Sequence, residues 1–386
     1  MHVVVHYAEI ALKGRNRPRF EQHLLRQLRR VLRPLGPVEV RRLFGRVLVE
    51  LPDGADFDEV SHRISQVFAV AYFSRASVLE PTLEAIHQAV DELVDGASFE
   101  TFGVNVRRAD KKHPWTSTEL NRELGARIVA RTGKKVDLSD PDLWVELHLL
   151  SEEAILLWRK IPGPGGLPVG SAGRAVSLIS GGIDSPIASY RMLKRGLELV
   201  YVHFHSAPYT GTASQHKVRD LVARLAVYQG PVRLYQVPFG EIQQTLVREA
   251  PAEPRIVLYR RFMLRVAEAI AESERALALV TGDSLGQVSS QTLANLDTIS
   301  RVTTLPVLRP LVGMDKLEII ALAEQVGTYA ISIEPDEDCC SYLMPRRPAT
   351  WTRPGSMETI ERALDTKGMV AELLRGACRE RIEPVS

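Results

Sequence analysis

Short apolar runs recur along the second half of the chain, and amphipathic segments separate them. The runs are AVSLIS, ELVYVHFH, VRLYQVPF and ALALVTGD. Each has the length and the apolar content of a strand that is buried on both faces. Between the second and third runs, SQHKVRDLVARLAVY places Val218, Leu221, Val222 and Leu225 on one helical face. This alternation predicts a doubly wound parallel sheet over residues 172–386.

The first 165 residues predict a different order of elements. Residues 1–75 show the pattern of strand, helix, two strands, helix and strand, which is typical of a ferredoxin-like α+β unit. Residues 76–165 show helix, strand, helix and two strands, which indicate a second α/β unit. Residues 161–173, IPGPGGLPVGSAG, are rich in glycine and proline and predict a linker. We therefore expect a multidomain α/β protein.

The composition is that of a soluble globular protein, with 45% hydrophobic and 25% charged residues. No apolar run approaches the roughly 18 residues of a membrane span, and the N-terminus lacks the pattern of a signal peptide. We expect a cytoplasmic protein with no membrane contact. The net charge is only +2, but residues 10–46 hold 11 Lys or Arg against two acids, and residues 101–135 hold nine against three. These two basic stretches favour a large polyanionic partner.

The segment SLISGGIDSPIASY, residues 177–190, joins a predicted strand to a predicted helix through two glycines and several polar residues. Small residues let a ligand approach main-chain N–H groups, and a helix N-terminus attracts anions. The segment therefore predicts a phosphate site, although an ordinary turn capped by Asp184 or Ser185 has the same residue types. It lacks the Gly-Lys-Ser/Thr of a Walker A loop and the spaced glycines of a dinucleotide fingerprint. SGGIDS resembles instead the PP-loop of ATP pyrophosphatases, which adenylate a carbonyl oxygen and release pyrophosphate.

Four segments carry a more specific resemblance: SLISGGIDSPIA, VHFHSAPYT, TGDSLGQVSSQT and EPDEDCCSYLMPRRPAT. Together with the basic first third, they make the chain similar to the tRNA 4-thiouridine synthetases, the ThiI family, over essentially its full length. The resemblance implies a ferredoxin-like domain over residues 1–75, an RNA-binding THUMP domain over 76–165 and a PP-loop ATP pyrophosphatase domain over 172–386. Longer members end in a rhodanese domain with a second sulfur-carrying cysteine, whereas this sequence ends at Ser386.

The resemblance also implies a reaction and its partners. ATP would adenylate O4 of the uridine at tRNA position 8, and persulfide sulfur delivered by a cysteine desulfurase would replace AMP to give 4-thiouridine. Some family members also transfer sulfur in thiazole (thiamine) biosynthesis. ATP and Mg²⁺ are the expected cofactors, and tRNA and the desulfurase are the expected partners. A homodimer is compatible with this expectation.

By the same resemblance, the PP-loop and three later segments bind ATP. Asp184 is the expected catalytic carboxylate, close to a Mg²⁺ that balances the charge of pyrophosphate. His203 and Phe204 end a predicted strand and match positions that touch the nucleotide. The expected ATP-binding residues are Leu178, Ile179, Ser180, Gly181, Gly182, Ser185, His203, Phe204, Arg260, Gly282 and Gln291.

Two polar positions near this set leave alternatives open. Arg260 matches a nucleotide-contacting position, but its neighbour Arg261 is an equal candidate on charge alone. Asp283 follows a predicted strand, where a carboxylate suits a metal, a hydroxyl group or a helix cap.

The three cysteines are too few for an extracellular disulfide framework. Cys339 and Cys340 are adjacent, and neighbouring cysteines form a disulfide only with strain. The resemblance assigns the catalytic thiol to Cys339, since its context matches the family's reactive cysteine better. Cys378 lies in AELLRGACRERI, which has an apolar helical pattern, and is either a resolving thiol or a half-buried helix residue.

Two basic clusters in the first third are the expected tRNA-binding residues. A solvated basic surface has the same composition, but both clusters precede a nucleotide-activating domain. Trp115, beside the second cluster, either stacks on a base or packs internally. The expected tRNA-binding residues are Lys13, Arg15, Arg17, Arg19, Arg107, Arg108, Lys111 and Lys112.

Two other functions share parts of this pattern. A PP-loop synthetase that adenylates a small molecule would need no basic N-terminal third. A non-catalytic RNA-binding protein would not need an intact SGGIDS. Pyrophosphate release that depends on tRNA separates the first alternative from tRNA thiolation, and ATP binding separates the second.

Overall fold

The computed structural model describes residues 1–43, 45–109, 113–335 and 343–385. The chain divides into two units, Met1–Leu167 and Pro168–Ser386. No helix in these described ranges is both long and apolar enough to cross a membrane.

The first unit is built on one eight-stranded sheet with the strand order β2-β3-β1-β4-β8-β7-β5-β6. All neighbouring strands are antiparallel except that β5 is parallel to both β6 and β7. In chain order its elements are β1 (His2–Tyr7), α1 (Arg17–Leu32), β2 (Glu39–Leu43), β3 (Arg46–Glu50), α2 (Phe57–Ile64), β4 (Val70–Leu79), α3 (Leu83–Gly96), β5 (Thr101–Arg108), α4 (Ser117–Thr132), β6 (Lys135–Val136), β7 (Leu143–Leu149) and β8 (Ala154–Pro162).

Strand β4 connects the two halves of this sheet, because it pairs with β1 on one side and with β8 on the other. The domain boundary expected after residue 75 lies inside this strand. The halves nevertheless have separate cores, one around α1 and α2 and one around α3 and α4.

The sheet alternates apolar residues between its two faces. In β1, Val3 and Val5 pack with α1 and α2, whereas Val4 joins a small buried cluster on the opposite face. Arg41 Nη2 on edge strand β2 lies 2.8 Å from Oε2 of Glu153, in the turn before β8. Three strands lie between β2 and β8, so in a flat sheet these two strands would be four strand spacings, about 19 Å, apart. The sheet therefore curls, and its second face closes on itself.

The second unit contains a six-stranded sheet with the order β13-β12-β9-β10-β11-β14. All neighbours are parallel except the edge strand β14. Its elements are β9 (Arg174–Leu178), α5 (Asp184–Lys194), β10 (Glu198–His205), α6 (Ala213–Gln229), β11 (Val232–Pro238), α7 (Gly240–Glu249), α8 (Arg255–Glu274), β12 (Leu279–Val280), α9 (Leu293–Ser300), β13 (Val307–Leu308), α10 (Lys316–Val326), α11 (Tyr329–Ser332), α12 (Pro354–Arg362), α13 (Thr366–Gly376) and β14 (Cys378–Ile382).

This strand order confirms the predicted doubly wound sheet. From β9 the chain proceeds outward through β10 and β11, then returns to the other side of β9 for β12 and β13. The order reverses between β9 and β12, and ligands of such folds bind in the crevice at that reversal, beyond the carboxyl ends of the strands. The PP-loop follows β9, and Gly282 follows β12 by two residues.

Candidate functional site

The PP-loop is held in place by serine side chains. Ser185 Oγ accepts a hydrogen bond of 2.8 Å from the N–H of Ser180. Ser189 donates to the carbonyl of Ser185 at 2.9 Å and lies 2.8 Å from the hydroxyl of Ser177 in β9. These bonds tie the end of β9, the loop and the first two turns of α5 together.

Neither Asp184 nor Ser185 caps helix α5, so the ordinary capped turn that the sequence also allows does not form. The N-cap is Ile183, and no side chain of the described residues caps this helix end. Ser185 is directed back to the loop, and Asp184 is engaged elsewhere. The unsatisfied N–H groups of the first turn are then available to an anion, whose charge the helix dipole stabilises.

Asp184 binds two side chains from distant parts of the second unit. Lys316 Nζ lies 2.7 Å from Oδ1, and Gln287 Nε2 donates to Oδ2 at 2.9 Å. The sequence analysis missed both residues. Lys316 is the first residue of α10, where the helix dipole disfavours a cation. A lysine at this unfavourable position was the one sign in the sequence that it pairs with an acidic residue.

A cavity of about 340 Å³ lies at the strand-order reversal. Ligand pockets for small molecules commonly have volumes of about 300–1,000 Å³. Its wall also contains the apolar side chains of Ile256, Met263, Val288 and Met344. Of the expected residues, Gly181 is buried but is not part of the wall. Those that line the cavity are Leu178, Ile179, Ser180, Gly182, Asp184, Ser185, His203, Phe204, Arg260, Gly282 and Gln291.

Arg260 and Arg261 have different surroundings. Arg260 lines the cavity and forms an ion pair with Asp283. Arg261 is 2% exposed, and its guanidinium binds both carboxylate oxygens of Glu361 at 2.7 and 2.6 Å. Arg260 is therefore the arginine that a nucleotide can reach.

Asp283 organises this wall of the cavity. One carboxylate oxygen pairs with Arg260, while the other accepts from Arg309 Nε at 3.0 Å and from the Thr281 hydroxyl at 2.8 Å. Burial by itself would raise the pKa of Asp283. Arg260, the Thr281 hydroxyl and Arg309 together lower the pKa by more than burial raises it, so the pKa lies below its usual range. Because Asp283 is only 2% exposed and is already paired with two arginines, it is suited to position Arg260 and not to bind a metal.

Gly282 is required by packing. A Cβ at this position would lie 2.7 Å from the N atom and 2.8 Å from the Cα atom of Ser185. His203 lies on the other side of the loop, where its Nδ1 is 3.0 Å from the carbonyl oxygen of Ile179. Phe204 packs edge-to-face on Phe239, with ring centroids 5.8 Å apart. The loop is therefore fixed between the ends of β10 and β12.

Among the described residues of the cavity wall, Asp184 has the carboxylate that is exposed enough to meet a divalent cation, since Asp283 is buried between two arginines. In the described ranges, no group of three or more His, Cys, Asp or Glu could hold a metal ion. Mg²⁺ at phosphate-binding sites is commonly held by one or two carboxylates together with the phosphates and water. The residues present fit that arrangement, with Asp184 as the protein ligand.

The expected tRNA-binding residues of the first cluster differ in whether they already contact neighbouring side chains of the protein. Arg17 is tied to Glu21 by an Nε–Oε1 contact of 2.9 Å and to the Tyr7 hydroxyl at 2.6 Å. Lys13 Nζ lies 5.1 Å from the centroid of the Phe20 ring. The exposed members of this cluster are Arg15 and Arg19.

In the second cluster, Arg107 is exposed at the end of β5, while Arg108 donates to the carbonyls of His113 and Trp115. Trp115 is part of the packing around α3 and α4, which favours its internal role. Lys111 and Lys112 lie outside the described residues.

Cys339 and Cys340 also lie outside the described residues. Cys378 is described, and its expected helical position is wrong. Helix α13 ends at Gly376, and Cys378 begins strand β14, where it is exposed opposite Gln236 of β11. The apolar pattern of Leu373 and Leu374 is helical, but it stops before the cysteine.

Three family models match the chain: Thiamine biosynthesis protein (ThiI) over residues 170–366, ThiI ferredoxin-like domain over 2–74 and THUMP domain over 80–158. A probable tRNA sulfurtransferase of Moorella thermoacetica is 46% identical over 383 residues, covering 99% of this chain and 98% of the relative. One of Thermus thermophilus is 45% identical, covering 97% and 91%. The crystal structure of a 4-thiouridine synthetase–RNA complex with bound ATP matches 99% of both chains, with a TM-score of 0.92 and 36% identity.

Proposed function

This chain belongs to the ThiI family of tRNA sulfurtransferases, and on that premise we propose that it adenylates O4 of the uridine at tRNA position 8 and replaces the adenylate with persulfide sulfur. The product is 4-thiouridine. The observation that carries this proposal is the cavity at the strand-order reversal, which gathers eleven of the twelve residues expected around ATP and pyrophosphate, counting Asp184.

The first step is an in-line displacement at the α-phosphorus. Uracil O4 forms the new P–O bond, the bond to the bridging oxygen of the β-phosphate breaks, and the N3 proton of uracil is lost. Pyrophosphate leaves with the bonding electron pair. The uncapped N-terminus of α5, Lys316 and Arg260 supply fixed positive charge where the negative charge of the leaving group develops.

The second step replaces oxygen by sulfur. The outer sulfur of a persulfide on Cys339 attacks C4, the C4–O bond breaks and AMP leaves. The resulting C4–S–S–Cys linkage must then be cleaved by a thiolate that attacks the inner sulfur, which releases 4-thiouridine and leaves a disulfide. A thiol reductant returns the enzyme to its starting state.

Mg²⁺, when bound, neutralises charge on the phosphates, and Asp184 is its proposed ligand. A cysteine desulfurase is the proposed persulfide donor, and the basic residues of the first unit are the proposed tRNA contacts. The proposal also includes three domains, over residues 1–75, 76–165 and 172–386. We further propose a cytoplasmic location, a homodimer and a sulfur-transfer role in thiazole formation.

The test uses the full chain with unmodified tRNA, ATP, Mg²⁺ and a cysteine desulfurase with cysteine. We expect pyrophosphate release that depends on tRNA, and 4-thiouridine at position 8 in the nucleosides recovered from the RNA. Pyrophosphate release that requires a small molecule instead of tRNA would support the alternative PP-loop synthetase. A control tRNA with cytidine at position 8 should remain unmodified.

A further inference from the structure

Residues 346–353, with the sequence RRPATWTR, form an exposed basic segment around one tryptophan. We call it the Arg-Trp segment. Trp351 is 61% exposed, and the Arg353 Cζ atom lies 4.7 Å from the centroid of its ring. Arg346, Arg347 and Arg353 are all exposed, and none forms an ion pair with another residue of the described ranges. The segment therefore presents three exposed cations beside a large aromatic ring.

Three hydrogen bonds, two of them buried, hold the Arg-Trp segment against helix α9 and its N-cap. Thr298 Oγ1 donates to the carbonyl of Thr352 at 3.1 Å, and the Thr352 hydroxyl donates to Asn295 Oδ1 at 2.8 Å. Thr292 Oγ1 donates to the carbonyl of Thr350 at 2.7 Å. The backbone on both sides of Trp351 is anchored, so the exposure of the ring comes from the fold and not from a loose loop.

The same network places the Arg-Trp segment beside the nucleotide cavity. Asn295 Nδ2 donates to the carbonyl of Ser289, which lines the cavity, at 2.7 Å and to that of Ala349 at 2.9 Å. Because Asn295 Nδ2 donates to both carbonyl oxygens, the oxygens of Ser289 and Ala349 lie within about 6 Å of each other. Trp351 is two residues further on, and Met344, earlier in the same stretch, also lines the cavity.

An exposed, anchored tryptophan with arginines around it matches the chemistry of unpaired RNA. Bases that leave a helix stack on aromatic rings and guanidinium planes, and arginines pair with phosphates. An enzyme that acts on a base must take it out of its stack, which leaves one face of each adjacent base without a stacking partner. An aromatic ring next to the cavity is placed to stack on such a face. A protein partner would more often meet a larger apolar patch with fewer uncompensated charges.

We propose that the Arg-Trp segment binds the RNA substrate beside the reacting base, with Trp351 stacked on an unpaired base and Arg346, Arg347 and Arg353 near phosphates. One face of the indole is covered by Arg353, and the exposed fraction leaves the other face to the base. This contact is separate from the basic residues of the first unit. The inference rests on the proposed function, because it assumes that tRNA is the substrate.

The test measures tRNA affinity of the full chain by filter binding, at several salt concentrations, with unmodified tRNA. Trp351→Ala should weaken binding about 5- to 150-fold, the range of one lost base stack, and Trp351→Phe should restore most of it. Arg346→Ala combined with Arg347→Ala should lower the salt slope by about 0.7 to 0.9 for each lost phosphate contact. ATP affinity and melting temperature should stay unchanged.

Matched controls lie at the amino ends of the strands, away from the cavity. Leu277 is 71% exposed, and Arg275 is exposed at the end of α8. Leu277→Ala and Arg275→Gln should leave both tRNA affinity and salt slope at the wild-type values.

Unchanged tRNA affinity in all Arg-Trp variants would overturn the inference. So would a Trp351→Ala protein that binds tRNA normally but no longer accepts sulfur from a cysteine desulfurase, because the segment would then be a protein-docking surface. In either case wild-type thiolation of tRNA keeps the proposed function intact. A wild-type protein that thiolates no tRNA would instead refute the proposed function itself.

Discussion

The ammonium group of Lys316 lies 2.7 Å from Oδ1 of Asp184, so that the first turn of α10 is joined to the first turn of α5. The carboxylate is 20% exposed and the lysine side chain 43% exposed, and Asp184 lines the cavity. A lysine at a helix N-terminus gains nothing from the helix dipole. Asp184 holds it at the cavity, where the phosphates of a nucleotide would supply further negative charge.

Asp184→Asn and Lys316→Met should each lower thiolation by about 10²- to 10³-fold, since each removes fixed charge at a reacting phosphate. tRNA affinity and melting temperature should change little, because the ion pair is partly exposed. Steady-state rates of pyrophosphate release measure the effect. Glu324→Gln, an exposed substitution on the same helix α10, should keep wild-type rates. Normal thiolation by Asp184→Asn would remove that residue from the mechanism.

Gly282→Ala should weaken ATP binding, because the new Cβ would lie 2.7 Å from the main-chain nitrogen of Ser185 and would shift the start of α5. Isothermal titration with ATP measures the affinity. Gly313→Ala is the matched control, since a Cβ there has no neighbour within 4 Å. If the two variants bind ATP equally well, the close approach of Gly282 to α5 has no effect on the nucleotide site.

The periodicity of the sequence was sufficient to predict most of the fold. The run ELVYVHFH coincides with β10 (Glu198–His205), because the run is mostly apolar and seven of its eight residues are buried in the sheet. Asp315 and Glu318 have the spacing of a capping box in the sequence, and they form one at the start of α10, which ends at Gly327 in a left-handed conformation. Local signals of this kind depend on neighbours in sequence and are therefore readable.

Contacts between residues that are far apart in the sequence could not be predicted from local patterns. The partners of Asp184, Lys316 and Gln287, are more than 100 residues away in sequence. The choice between Arg260 and Arg261 depended on which side of α8 faces the cavity, and the sequence shows two adjacent arginines without that information. The curling of the first sheet, which brings Arg41 to Glu153, likewise depends on tertiary packing.

Glu361 should make the protein sensitive to acid. Burial by itself would raise the pKa of Glu361. Hydrogen bonds from Arg261 and Arg265 have the larger, opposite effect and bring the pKa from 4.5 down to about 2. The folded-state pKa is depressed, so this stabilisation is present above pH 4.5 and is lost as the pH falls towards 2. The free energy of unfolding should decrease by about 3 kcal/mol over that window through this group.

Urea denaturation at several pH values tests the role of Glu361. Glu361→Gln should lower the free energy of unfolding at pH 7 by about 3–5 kcal/mol, because two arginines lose their counter-ion. The difference from wild type should shrink as the pH approaches 2. Glu358→Gln, an exposed substitution on the same helix α12, should follow the wild-type curve. A constant difference at all pH values would contradict the assigned pKa.

The basic residues near the N-terminus should separate into two groups. Arg15→Ala combined with Arg19→Ala should weaken tRNA binding and lower the salt slope by about 0.9 for each lost phosphate contact, with no change in melting temperature. Arg17→Ala should instead lower the melting temperature, because Arg17 binds the buried Tyr7 and Glu21. Filter binding and thermal denaturation give the two readouts. Arg131→Ala, in the Asp91–Asp95 ion-pair group, should leave the salt slope unchanged.

The last prediction concerns the thiol that releases the sulfur. Cys378 lies on edge strand β14, and β11 and β10 separate that strand from β9, which leads into the PP-loop. Three strand spacings are about 14 Å, well beyond the roughly 5.5 Å between Cα atoms that a disulfide needs. For Cys378 to resolve a persulfide on Cys339, the latter would have to reach the edge of the sheet. We therefore expect an external thiol, and not Cys378, to release the product.

Cys339→Ser should abolish thiolation while pyrophosphate release survives, and Cys340→Ser should retain more activity than Cys339→Ser. Cys378→Ser should turn over at the wild-type rate when a thiol reductant is supplied. Mass spectrometry of the unreduced enzyme after one turnover should find no peptide that links Cys339 to Cys378. A Cys378→Ser enzyme that stops after one turnover, together with such a linked peptide in the wild type, would show that the internal disulfide forms after all. Full activity of Cys339→Ser with a cysteine desulfurase would remove the covalent role from that residue.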